Sequence, residues 1–192
     1  MLEPSLGESE TKPVNCFALV SYIPGLLGRF LDEVRRELEP ATQAPRAHIT
    51  LLPPRCLCDT STAPQAAEEF LERALVELPA VEIYLGPIRI FPGTNVVYVS
   101  VDGGFLQLRM MHEKLNAGPL RYVEPFHYHP HVTLAQGLTP AQADRVCDEA
   151  TRRWDLYQGS RQFSTDSFSF VQANSANRWA DLAEYSLAPA VR

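Results

Sequence analysis

The chain has 192 residues, 45% of them apolar and 21% charged, the balance of a soluble globular protein with one large domain or two small lobes. Its formal net charge of −6 argues against a broad footprint on long duplex nucleic acid, which needs many cationic contacts to phosphates; a short phosphate-bearing ligand in a locally basic pocket remains compatible. No apolar run approaches the roughly 20 residues needed to cross a bilayer, and the polar, acidic start MLEPSLGESETKP lacks the regions of a signal peptide. Residues 1–13 are therefore read as a solvated, disordered arm, and the protein as cytoplasmic, monomeric and without a membrane partner.

In chain order, residues 14–22 (VNCFALVSY) form an apolar run of strand length. Residues 24–38 place Leu27, Phe30, Leu31, Val34 and Leu38 at helical spacing, with Pro24 suited to the start and Pro40 to the stop. RAHITLLPP (46–54) reads as a strand halted by two prolines. Residues 62–78 carry a second helical stripe, and 80–91 alternate like a strand with a break at Gly86-Pro87. The order then repeats: a strand at 95–101, a helix from 105 to 116, a strand at 130–136, a helix at 139–155 with a Thr cap and Pro at its first turn, and two final strands at 161–172 and 179–187. This predicts an α+β fold of two pseudo-symmetric lobes, about 14–92 and 93–192. Each lobe has a small, mainly antiparallel sheet backed by helices, with an active cleft between them. Four cysteines (Cys16, Cys56, Cys58, Cys147) form no metal-ligand spacing and are read as reduced and structural.

The informative feature is a repeated tetrapeptide, His48-Ile49-Thr50-Leu51 and His131-Val132-Thr133-Leu134, on the second strand of each half. Side chains alternate along a strand, so each motif presents an imidazole and a hydroxyl on one face and anchors itself with apolar groups on the other. Two such strands converging on one cleft would place two imidazoles and two hydroxyls around a tetrahedral centre. Phosphate ester cleavage needs that set. One neutral His takes a proton from the nucleophile, the other donates to the leaving oxygen, and the Thr hydroxyls stabilise nonbridging oxygens. Imidazole titrates near neutrality and serves both roles without a metal or other cofactor. Two copies of the motif among five histidines are a coincidence of roughly a few in ten thousand.

On these residues the chain resembles the two-histidine phosphoesterases, the 2′-5′ RNA ligase-like superfamily, over residues 14–188. HITL (48–51), HVTL (131–134) and the proline context of YHPHVTLA carry the resemblance. The resemblance implies a bilobal α+β fold and metal-free action on 2′,3′-cyclic phosphates or on 2′,5′-linked or 3′ RNA termini. It implies an acid–base pair at His48 and His131, with phosphate-binding hydroxyls at Thr50 and Thr133. The implied partner is a nucleotide or short RNA terminus. RNA cyclic phosphodiesterases of this superfamily often carry an Arg just after the second motif, where this chain has Gln136. After the first they often have an aromatic, where this chain has Leu52-Pro53-Pro54-Arg55. Arg46 and Arg55 are the candidates to supply the missing cation, Phe126 and Tyr128 to stack a nucleobase, and Trp179 to line the cleft.

Other readings remain open at this point. His127-Tyr128-His129-Pro130-His131 loosely matches the histidine-triad nucleotide hydrolases and transferases, and its alternate histidines could be metal ligands on one strand face. Both leave the first motif and the repeated halves unexplained. A noncatalytic binder of nucleotides or RNA ends would use the same cleft.

Overall fold

Short apolar alternations separated by amphipathic helices dictate a layered structure, and a computed structural model describes it for residues 12–38, 45–57, 63–175 and 178–189. The elements run β1 (Pro13–Tyr22), α1 (Gly25–Leu38), β2 (His48–Arg55), α2 (Ala63–Leu75), β3 (Val81–Ile90), β4 (Val97–Gly103), α3 (Phe105–Leu115), a 3-10 turn (Gly118–Leu120), β5 (His131–Ala135), α4 (Pro140–Leu156), β6 (Gln162–Thr165), β7 (Ser167–Asn174) and β8 (Trp179–Ser186). Helix α1 buries Leu27, Leu31 and Val34, and α2 buries Ala63, Ala67, Leu71 and Leu75, each a stripe at helical spacing. A reciprocal capping box, Thr139 with Gln142, starts α4. Near its end Trp154 is buried and donates from Nε1 to the Gly86 carbonyl at 3.0 Å. No helix among the described residues is long and apolar enough to cross a membrane.

Two four-stranded antiparallel sheets result, in the orders β2-β1-β7-β8 and β5-β4-β3-β6. The α+β class and the repeated plan stand. The lobes, however, are not the contiguous halves 14–92 and 93–192. Strand β3 crosses to pair with β4 of the second sheet, and β7 crosses back to pair with β1 of the first. The run expected as one strand over 161–172 is two strands, divided at Asp166 between the two sheets. Its alternation slips phase there: Phe163 and Thr165 are buried in β6, and Phe168 and Phe170 in β7. The Gly86-Pro87 break is milder than predicted, since β3 continues through it with a register irregularity between Leu85 and Ile88. Of the predicted arm, residues 1–11 lie outside the described residues, while the Lys12 amide donates to Ser175 Oγ and Pro13 opens β1 opposite Asn174.

A single apolar cluster joins the inner faces of both sheets and all four helices, from Leu19, Leu31 and Ile49 to Leu71, Val99, Leu134 and Trp154. Gly104, before α3, has φ +83°, and a Cβ there would lie 2.7 Å from the Glu82 carbonyl oxygen, so the turn from β4 into α3 requires glycine. A smaller cluster, Ala18, Val20 and Val171 with Tyr22 and Trp179 against it, lies on the opposite face of the first sheet.

Candidate active site

The two motif strands are edge strands of their respective sheets, and they pack against each other. Their alternation is the same. Ile49, Leu51, Val132 and Leu134 are buried, whereas His48, Thr50, His131 and Thr133 are partly exposed. Directly paired residues of an antiparallel sheet share a face, so the register identifies each motif's neighbours. His48 lies opposite Tyr22, and Thr50 opposite Val20. His131 lies opposite Ser100, and Thr133 opposite Tyr98.

Both imidazoles are oriented by the same device. His48 Nδ1 is 2.6 Å from the Arg46 carbonyl oxygen, and His131 Nδ1 is 2.7 Å from that of His129. A carbonyl only accepts, so each Nδ1 carries the hydrogen, and Nε2 is the atom left to exchange a proton. Burial lowers the pKa of both rings, partly countered by those carbonyls. His48 falls from 6.5 to about 4, with the charges of Arg35 and His131 adding to the effect. His131 is lowered as well, with His129 adding to the effect of burial. The strands that carry the two rings pack against each other, and the charge of His131 is the smallest of the causes that lower His48.

The walls differ. Beside His48 stand Trp179, with ring centroids 5.6 Å apart, and Tyr22, edge-on at 6.3 Å. The Arg46 guanidinium lies 3.7 Å over the Tyr22 ring and 3.2 Å from Asp181, which also accepts from the Tyr22 hydroxyl at 2.5 Å. Burial and Asp181 push the Tyr22 hydroxyl up to about 12. Tyr22, Arg46 and Asp181 also line a cavity of about 660 Å3 that extends to Ser164–Ser169. Beside His131 the packing is aromatic, with Phe91 edge-on at 4.8 Å and Tyr98 at 5.4 Å. Phe91 and Tyr98 stack on each other at 3.9 Å, and His129 meets both edge-on.

Arg46 and Trp179 thus lie at the site, whereas Arg55 does not. Its side chain is 1% exposed and donates to Glu124 (2.8 Å), Asn116 Oδ1 (2.9 Å) and the Leu120 carbonyl (2.6 Å). An arginine whose donors are consumed inside the protein cannot serve a phosphate, which corrects that expectation. Tyr128 is partly buried and engaged within the protein rather than presented as a base platform. Its ring stacks on His112 at 4.0 Å and its hydroxyl donates to the Thr50 carbonyl at 3.0 Å. His112 donates from Nδ1 to the Leu51 carbonyl at 2.8 Å and faces Glu124 from Nε2 at 3.5 Å. Tyr128 and His112, both from the second half, therefore satisfy the outer edge of β2 and clamp the first motif strand beside the second. Phe126 is 72% exposed. His127 is exposed, and among the described residues no three His, Cys, Asp or Glu side chains gather to hold a metal. Sequence reasoning missed Tyr22 and Tyr98, which strand register places beside the motifs, and Phe91 and Asp181, which stack on Tyr98 and accept from Tyr22 respectively.

The family model of the 2'-5' RNA ligase superfamily matches residues 23–177. No curated protein matches in sequence. Among solved structures, the chain is similar to E. coli LigT in apo form, with a TM-score of 0.63 and 16% identity over 92% of this chain and 99% of that one. It is similar to a phosphoesterase (TM-score 0.65, 15% identity, 93% and 99% covered) and to Kluyveromyces marxianus Usb1 (0.55, 13%, 91% and 98%). At these identities the structural likeness is one of fold, and it extends over both lobes. The matched segment holds both His-x-Thr-Leu strands and most of the elements around them, and the chain belongs to the 2'-5' RNA ligase superfamily.

Proposed function

We propose that this protein is a phosphodiesterase that hydrolyses a 2′,3′-cyclic phosphate or a 2′,5′-phosphodiester at a nucleotide or RNA end, without a metal, through His48 and His131. The observation that carries the reading is the matched pair of imidazoles. Each is held by a backbone carbonyl with Nε2 available, and each is accompanied by a threonine two residues on. E. coli LigT has been solved with 3'-AMP, with phosphate and with ATP, which supports a nucleotide as ligand for this fold.

In the proposed reaction, water attacks phosphorus as one neutral Nε2 takes its proton. The P–O ester bond breaks, and the other ring, protonated, gives its proton to the departing oxygen. Thr50 and Thr133 donate to the nonbridging oxygens as charge builds there. Both rings favour the neutral form in the free protein, and the anionic substrate favours a proton on one of them, so a proton enters with the phosphate.

The test is a panel of 2′,3′-cyclic nucleotides and 2′,5′-dinucleotides assayed with EDTA present. Turnover should persist and vary with pH as a bell. His48→Ala and His131→Ala should each lower kcat by about 10²- to 10⁴-fold while circular dichroism is unchanged. A folded His48→Ala variant with near-normal turnover would reject the paired mechanism. Affinity for phosphate without turnover would make the protein a binder, and inhibition by EDTA would point to a metal.

A further inference from the structure

The register of the second sheet sets out a row of side chains that the proposed chemistry leaves unused. Thr133 lies opposite Tyr98, and Tyr98 lies opposite Arg89 on β3. Paired residues share a face, so Thr133, Tyr98 and Arg89 form one line leading away from the motif strand. Adjacent strands are about 4.8 Å apart, so the Arg89 backbone stands about 10 Å from that of Thr133. His129 occupies the same region, edge-on to Tyr98 at 5.9 Å and to Phe105 at 5.4 Å. Arg89 is the direct cross-strand partner of Tyr98, and its charge acts on both Tyr98 and His129.

Three other arginines near the motifs are occupied. Arg46 pairs with Asp181, Arg55 is buried against Glu124, and Arg35 donates to the Pro45 carbonyl. Arg89 is exposed and takes part in none of the ion pairs among the described residues. In a chain of net charge −6, a cation without a carboxylate partner on the same sheet face as the second motif is suited to an anion that arrives with the substrate. Standing two strands from the motif hydroxyls, it suits a second phosphate, the next one along a nucleotide chain.

We propose that Arg89 and His129 form a second anion subsite that holds the phosphate one step from the reacting phosphorus, so that the preferred substrate is a 5′-phosphorylated nucleotide or chain end. The proposal rests on the phosphodiesterase reading for its substrate class. Guanidinium supplies charged donors to phosphate oxygens, and the His129 ring, fixed among Phe91, Tyr98 and Phe105, supplies a further polar contact.

The experiment compares a nucleoside 2′,3′-cyclic phosphate bearing a 5′-phosphate with the same compound ending in a 5′-hydroxyl. In parallel, calorimetry compares a nucleoside 3′,5′-bisphosphate with the 3′-monophosphate, a measurement that needs no turnover. The wild-type protein should favour the 5′-phosphorylated member of each pair by about tenfold, in KM and in Kd respectively. Arg89→Gln should collapse both ratios toward one, and Arg89→Lys should restore part of each. Equal use of both members by the wild-type protein, or ratios that survive Arg89→Gln, would overturn the subsite. An Arg89-dependent binding preference without hydrolysis of either cyclic compound would instead leave the subsite standing and sink the phosphodiesterase reading.

Discussion

Strands β2 and β5 carry the same motif with the same alternation and the same Nδ1-to-carbonyl orientation, yet they are supported by different means. The outer edge of β2 is held by polar groups from the other half, Tyr128 and His112, backed by Glu124 and the buried Arg55. β5 packs against helix α1, and its histidine is flanked by the Phe91–Tyr98 stack. His48 instead faces Trp179, Tyr22 and the Arg46–Asp181 pair. The two strands thus share the motif and the ring orientation and differ in their neighbours. Two equivalent imidazoles become chemically distinct through what surrounds them.

The comparison breaks most severely at the clamp. Arg55→Met leaves the Glu124 carboxylate in the interior without its guanidinium. It should cost about 3–5 kcal/mol in urea unfolding, the penalty for stripping one partner from a buried pair. A loss below 1 kcal/mol would mean that β2 does not depend on this network. The hydroxyls come next. Thr50→Val and Thr133→Val keep shape and burial while removing a donor, and each should lower kcat by about 10²-fold. A large effect at only one of the two would show that a single nonbridging oxygen is stabilised. The smallest effect is the dependence of stability on pH. His48 is held near 4 in the fold, whereas an unfolded chain binds that proton near 6.5. Between those values the unfolded state holds more protons, so stability is fully present above about 6.5 and is lost as the pH falls toward 4. His48→Gln should flatten that slope in thermal melts more than His131→Gln does; equal flattening would mean that the two rings are equally perturbed.

Much of the local structure was legible because apolar period and capping residues act over a few positions, as the Thr139–Gln142 box and the α2 stripe illustrate. Which sheet a strand joins is a long-range matter. Nothing local to residues 81–90 says that β3 leaves the first half, and the sign at Asp166 is only a one-residue slip of alternation. The site divides in the same way. His48, Thr50, His131 and Thr133 were readable because a repeated tetrapeptide on two strands fixes what shares a face. Arg89, Tyr98 and Tyr22 were not, because their relation to the motifs depends on pairing register. Arg55 was misread for a related reason. Charge is visible in a sequence, but burial beside Glu124, 69 positions on, is not.

The crossing of β3 and β7 has a consequence for how such a chain can be divided. Cut in the loop between β3 and β4, the first fragment would carry β3 with no sheet to enter, and its β1 would be open along the edge that β7 covers. The second fragment would have the converse defect at β4, where β3 belongs. Bare strand edges of this kind recruit other strands. Neither piece is therefore a self-sufficient folding unit, but two copies of one such piece could complete each other by trading their last strand, as swapped dimers do. In the present protein both exchanges take place within one chain, and the two histidine strands meet across the seam.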